Sequence, residues 1–238
     1  MRRFFAGKVT QDRAFLLGRE AEHFSRVLRM TAGDLFVAAH QGKELVCRAL
    51  SVENGEVCAE ILESRDCPGE PSVDITLYVA YMKSDKMELI LQKAVELGIG
   101  CFAPFVSSRC VKKPKEGGKA QERFEKIAEG AVKQCGRAAA VRILQPLSLE
   151  QVLEKIPLHG AVLFAYEKSE IALRQVFEQI REQKDIALII GPEGGFSEQE
   201  AEQIIAAGGR SISLGSRILR GETAAIALTA LTAYETGC

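Results

Sequence analysis

The chain has 238 residues, enough for one large domain or for a small one joined to a medium one. Hydrophobic residues make up 47% and charged ones 26%, an ordinary globular composition, and no apolar run approaches membrane-spanning length. The net charge of −1 does not advertise a polyanion as partner, and seven cysteines without a Cys-x-x-Cys pair, beside three histidines, argue against a zinc site or a disulfide framework. Reduced thiols in a cytoplasm are the simplest expectation, with neither a metal nor a membrane as partner.

The charge is unevenly spread. Residues 1–30 carry seven Lys/Arg against three acids, and residues 107–142 carry ten against four. Two basic segments on a neutral body read either as solvated helix faces or as local phosphate contacts.

In chain order, residues 1–66 are expected to be β-rich. Short strands are predicted at 2–5 and 14–17, then a helix over 20–30 with Phe24, Val27 and Leu28 on one face. Strands follow at 35–39, 44–50 and 56–62, the last two joined by Asn54-Gly55, a strong two-residue hairpin signal. Several short strands with one helix suggest a small barrel. Arg26 and Arg29 flank the helix's buried face, either snorkelling at its edge or reaching towards phosphate.

Asp66-Cys67-Pro68-Gly69-Glu70-Pro71 reads as a linker, and the pattern changes after it. Strands at 73–80, 101–106, 141–144, 161–165, 186–190 and 211–214 alternate with helices at 85–97, 121–135, 149–156, 171–182, 198–207 and 223–235. That alternation predicts an α/β domain with a mainly parallel sheet covered on both faces. The stretch 112–119 reads as a mobile basic loop.

Two connections carry more than a turn needs. The apolar strand 186–190 breaks into Gly191-Pro192-Glu193-Gly194-Gly195-Phe196 before Ser197, a good N-cap followed by Glu198 and Glu200. Taken alone it serves equally as a tight β–α connection or as a ligand loop whose glycines bare their backbone N–H groups. The second is Leu214-Gly215-Ser216-Arg217-Ile218-Leu219-Arg220-Gly221-Glu222-Thr223-Ala224-Ala225, where two arginines, a glutamate and a threonine exceed structural need. With Phe164-Ala165-Tyr166-Glu167, these connections leave the carboxyl ends of their strands, where open α/β sheets bind ligands. Gly-x-Gly-x-x-Gly and the Walker pattern are both absent, so dinucleotides and nucleoside triphosphates are not suggested.

Gly191-Pro192-Glu193-Gly194-Gly195-Phe196-Ser197, paired with Leu214-Gly215-x-Arg217-Ile218-Leu219-Arg220-x-Glu222-Thr223-Ala224, resembles the bacterial 16S ribosomal RNA uracil-N3 methyltransferases of the SPOUT superfamily. Further matches are Lys93-Ala94-x-Glu96-Leu97-Gly98, Gln134-Cys135-Gly136-Arg137, and His23 with Val27-Leu28-Arg29-Met30, so the resemblance spans almost the whole chain. Gly221 departs from it, since the family usually carries threonine there, and a glycine implies added flexibility beside Arg220.

The resemblance implies a SPOUT domain over 71–238 with a deep trefoil knot, and a small PUA-like RNA-binding β-barrel over 1–70. It implies S-adenosyl-L-methionine held in the knot by Phe164, Tyr166, Gly191, Pro192, Glu193, Gly194, Gly195, Leu214, Gly215, Ile218, Leu219, Arg220, Thr223 and Ala224. Arg220, Glu193, Glu222 and Arg137 are the catalytic candidates, and Arg3, Arg26, Arg29, Arg109, Lys112 and Lys113 the RNA-facing ones. The implied substrate is 16S ribosomal RNA within the small subunit, and the implied assembly is a homodimer with the closing helix, rich in Ala224, Ala225, Ala227, Ala230 and Ala233, at its interface. The alternatives are a SPOUT ribose 2′-O-methyltransferase acting on transfer or ribosomal RNA, and a non-catalytic RNA-binding protein.

Overall fold

The structure, a computed structural model, describes residues 1–114 and 118–237. The chain forms two compact units. Met1–Glu70 together with Val132–Ala140 make one, and Pro71–Ala131 together with residues 141–237 make the other. Residues 115–117 of the expected basic loop lie outside the described residues.

The first unit is a six-stranded sheet curled into an open half-barrel. Its strands are β1 (Arg2–Phe5), β2 (Lys8–Val9), β3 (Arg13–Leu17), β4 (Leu35–His40), β5 (Lys43–Glu53) and β6 (Glu56–Asp66), in the order β1-β4-β5-β6-β3-β2. The Asn54-Gly55 turn is realised as expected: both residues have positive φ, 52° and 75°, the geometry that matches strand twist. The two strands it joins are longer than the periodicity predicts. Register shifts at Val46/Cys47 and Ala49/Ser51 break their alternation, and so hide their length in the sequence.

Phe4, Phe24 and Phe36 fill the half-barrel, with ring centroids 5.3–5.5 Å apart. The helix predicted over 20–30 is shorter and changes its hydrogen-bonding pattern midway. One turn of α1 (Arg19–Glu22) passes into a π-helical segment, His23–Val27, in which the Leu28 N–H donates to the His23 carbonyl. The wider turn rotates the residues after it, so Phe24 stays buried while Val27, expected on the same face, is 68% exposed.

The sheet's other face is covered by Val132–Ala140. There Glu70 accepts hydrogen bonds from the Ala138 and Ala139 N–H groups and from the buried guanidinium of Arg137. Arg3 points to the same face, donating to Glu44 and to the Arg137 carbonyl.

The second unit holds a sheet whose pairings are all parallel, as expected from the alternation. Its strands are β7 (Asp74–Ala80), β8 (Cys101–Val106), β9 (Arg142–Ile143), β10 (Leu147–Ser148), β11 (Ala161–Ala165), β12 (Asp185–Ile190) and β13 (Arg210–Ile212). The order is β10-β8-β7-β12-β11-β13, with β9 also on β8. β12 buries Ile186 to Ile190 without alternation because helices cover both faces. The helices are α2 (Ser84–Glu96), α3 (Lys119–Cys135, of which Val132–Cys135 belong to the first unit), α4 (Leu149–Lys155), α5 (Leu173–Ile180), α6 (Glu198–Ala206) and α7 (Gly221–Thr236). α2 buries Met87, Ile90, Leu91, Ala94 and Val95, and α7 packs on both α2 and β12. Among the described residues no helix is long and apolar enough to cross a membrane.

Ser197 caps α6 as its sequence position predicts. Its hydroxyl accepts from the Glu200 N–H at 3.1 Å, and the Glu200 carboxylate accepts from the Ser197 N–H at 2.8 Å. The other Glu200 oxygen accepts from the Ser108 N–H at 2.8 Å, so one buried carboxylate joins the segment after β8 to the segment after β12.

Ser197→Ala is expected to lower stability by about 1 kcal/mol in denaturant unfolding. Burial pushes the Glu200 carboxyl up, but the N–H donors of Ser197 and Ser108 outweigh it and hold the group below the ordinary glutamate value of 4.5. A folded-state value below the unfolded one contributes stability that is fully present above pH 4.5 and is lost as pH falls through the folded value. The stability gap between wild type and Glu200→Gln should therefore close on acidification; a gap independent of pH would show that the carboxylate's charge plays no part.

Candidate functional site

Because β7, β11, β12 and β13 run in one direction, the connections that leave them emerge at the same edge of the sheet. Residues 165–167, 190–196 and 212–221 line a cavity of about 560 Å³ there, joined by Lys86 of α2 and Ala224 of α7. This volume lies within the range of about 300–1,000 Å³ usual for small-molecule sites.

The 191–197 connection is anchored from below and from the side. Phe196 is buried and stacks on Phe105 at 6.5 Å, with Phe164 edge-on at 6.0 Å. Arg109 donates to the carbonyls of Gly194 and Phe196, both at 3.1 Å. Gly195 closes the turn with its N–H on the Pro192 carbonyl at 2.9 Å. Glycine is favoured here, because φ is 66° and an added Cβ would stand 2.9 Å from the Glu167 carboxylate.

The 213–220 connection is less tightly held. Ser213 and Gly215 hydrogen-bond to each other, while Arg217 and Arg220 expose their guanidiniums at the cavity wall and Ile218 is 90% exposed. α7 then begins at Gly221, two residues earlier than its pattern predicts. A Cβ on Gly221 would lie 2.7 Å from Met82 Cε, so the glycine makes room for a buried side chain; the expected flexibility is replaced by close packing. A threonine at this position would require Met82 to withdraw.

Charge collects where the loops meet. Lys86 Nζ stands 3.3 Å from Glu193 Oε1 and 3.3 Å from Glu222 Oε2. Desolvation lowers the Lys86 pKa, and its contacts with Glu193 and Glu222 more than offset this, leaving the ammonium above the ordinary lysine value. The wall thus offers bare backbone, carboxylates and guanidiniums together. It suits a polar ligand that hydrogen-bonds to backbone, with an anionic group near the arginines.

Of the residues expected at a cofactor, Tyr166, Gly191, Pro192, Glu193, Gly194, Gly195, Leu214, Gly215, Ile218, Leu219, Arg220 and Ala224 line the cavity. Phe164 and Thr223 do not: the Phe164 ring is wholly buried beneath the loop, and the Thr223 side chain is exposed on the first turn of α7. Glu222 reaches the wall through Lys86. Arg137, a catalytic candidate, belongs to the first unit, where its guanidinium is buried on Glu70. Two arginines expected to face RNA are engaged internally, Arg3 on Glu44 and Arg109 on loop carbonyls. Arg26 is exposed, paired with Glu22 at 2.8 Å, and Arg29, Lys112 and Lys113 are exposed. Lys86 was not expected from the sequence. The one available signal is its position in the first turn after the carboxyl end of a parallel strand.

Comparison with known proteins places these features. The RNA methyltransferase domain family matches residues 69–233. Ribosomal RNA small subunit methyltransferase E of Bacillus subtilis (strain 168) is 32% identical over 229 residues, covering 93% of this chain and 90% of that protein. The protein of the same name from Aquifex aeolicus (strain VF5) is 30% identical over 219 residues, covering 89% and 90%. The crystal structure of a ribosomal RNA small subunit methyltransferase E from Neisseria gonorrhoeae, bound to S-adenosyl methionine, superposes with a TM-score of 0.83 at 30% identity, covering 98% of this chain and 96% of that one. With a family match over most of its length and relatives of this identity, the chain belongs to the RNA methyltransferase domain family, alongside the ribosomal RNA small subunit methyltransferases E.

Proposed function

We propose that the chain transfers a methyl group from S-adenosylmethionine to N3 of a uridine in small-subunit ribosomal RNA. The observation that carries this is the cavity itself, whose glycine-lined wall meets carboxylates and exposed arginines at the carboxyl edge of the parallel sheet. The gonorrhoeal relative with the same fold is bound to S-adenosyl methionine, and both curated relatives are named for ribosomal RNA. The cradle fits such a ligand, because nothing stands within 4 Å of where a Cβ on the cavity-lining Gly215 would lie, and that open space gives a ligand access to backbone.

Bound there, S-adenosylmethionine supplies an electrophilic sulfonium methyl. The protein's share is to seat the acceptor and manage its proton. Uracil N3 is protonated at neutral pH, so the site must take that proton or stabilise the anion. Glu193 is assigned the proton, with Glu222 as its neighbour on Lys86. Arg220, with Arg217 beside it, is assigned to the uracil anion and the flanking phosphates.

The sequence divides at residue 70, and with Val132–Ala140 moved to the first unit we assign the second unit to this methyltransferase domain and the first to a PUA-like RNA-binding domain, with Arg26 on its π-helical turn, Arg29 just after it, and Lys112 and Lys113 as further RNA contacts. A trefoil knot is assigned to the chain's end; the return of α7 from the edge strand β13 to pack on β12 and α2 is compatible with it. A homodimer would cover Leu231 and Tyr234, exposed on α7 at 44% and 81%. A cytoplasmic setting follows from a ribosomal substrate.

Gly195→Val should leave the far-UV circular dichroism unchanged and abolish S-adenosylmethionine binding in calorimetry; tight binding by this variant would remove the loop from the cofactor site. Mass spectrometry of small-subunit ribosomal RNA from a strain lacking the protein should show one uridine without its N3 methyl. A methyl missing from a ribose oxygen, or none missing, would overturn the assignment.

A further inference from the structure

The ammonium of Lys86 stands between two carboxylates that come from different connections. Glu193 lies after β12, Glu222 lies in the first turn of α7, and Lys86 lies in the first turn of α2. Each carboxylate oxygen is 3.3 Å from Nζ, so the two are no more than twice that distance apart. The three side chains are only 21%, 30% and 15% exposed for Lys86, Glu193 and Glu222, so solvent screens them incompletely. Glu222 Oε2 is buried and makes no hydrogen bond, which leaves the neighbouring ammonium as its compensation.

The fold explains why a helix residue can reach both. β7 and β12 pair in parallel, so α2 begins beside the 191–197 connection, and α7 packs against α2. The two loops also come close at Gly221, where an added Cβ would lie 3.6 Å from the Gly191 carbonyl oxygen. Without a cation, like charges would face each other across that approach. The loops would part or one carboxylate would take up a proton, and in both cases the wall changes shape.

We propose that Lys86 is a positioning residue, whose ammonium ties Glu193 to Glu222 and thereby holds the two glycine-containing loops in the shape that receives the methyl donor. This rests on the cavity being the S-adenosylmethionine site. Lys86 acts through the two glutamates and takes no proton from the substrate itself.

Calorimetric titration of the full chain with S-adenosylmethionine tests it. Lys86→Met is expected to keep the wild-type far-UV circular dichroism, to unfold at a lower midpoint, and to bind about tenfold more weakly or worse. On a Glu222→Gln background, where one of the opposed charges is already gone, the same substitution should cost about twofold or less. Lys86→Gln carries the same expectations should the methionine variant fold poorly. Unchanged affinity in Lys86→Met, or equal losses on both backgrounds, overturns the proposal and leaves the cofactor assignment standing. A wild-type chain that does not bind S-adenosylmethionine sinks that assignment and this proposal together.

Discussion

The common direction of β7, β12, β11 and β13 is the constraint on which the rest of the second unit depends. Parallel pairing places every strand-to-helix connection of these strands at one edge, where an antiparallel neighbour would send its loop to the other end. The central strand β12 is buried from Ile186 to Ile190 and offers only apolar side chains there. Function is therefore confined to the connections, and what matters is how they are held.

They are held by polar contacts to backbone and by one aromatic anchor. Phe196 fixes the 191–197 connection to the core between Phe105 and Phe164, while Arg109 binds it from the segment after β8 and Glu200 of α6 ties Ser197 to Ser108 of that segment. The result is a loop fastened at both ends, with Gly194 and Gly195 open to the cavity in between. The 213–220 connection has fewer such ties, so its close approach to the first loop at Gly221, and the Lys86 bridge, take on more of the alignment. Met82 fills the space a side chain at 221 would need, which gives a physical reason for glycine there.

The first unit uses arginine differently. Arg3 and Arg137 are drawn into a network with Glu44 and Glu70 that fastens Val132–Ala140 over one face of the sheet. A buried guanidinium must find such partners, and once it has them it is committed to structure. Arg26, on a π-helical turn that leaves Val27 beside it exposed, remains at the surface.

By itself the sequence determined the elements whose signals are local. These are the consecutive apolar residues of β12, the Ser197 cap with Glu200 three residues on, the Asn54-Gly55 turn, and the alternation that makes the second sheet parallel. Each depends on backbone preferences or on periodicity over a few neighbouring residues. The two loop motifs also carried enough composition to mark the pocket. The tertiary structure alone decided which charged side chains meet. Nothing near Arg109 says that it will reach carbonyls 85 and 87 residues away, nothing near Arg137 says that it will be buried on Glu70, and nothing in the amphipathic pattern of α2 separates Lys86 from an ordinary surface lysine. Long charged side chains take their partners from whatever the fold brings within reach. The wide turn at His23–Val27 and the shifts in β5 and β6 were hidden for a related reason, since one inserted residue changes the face of every later residue in the element.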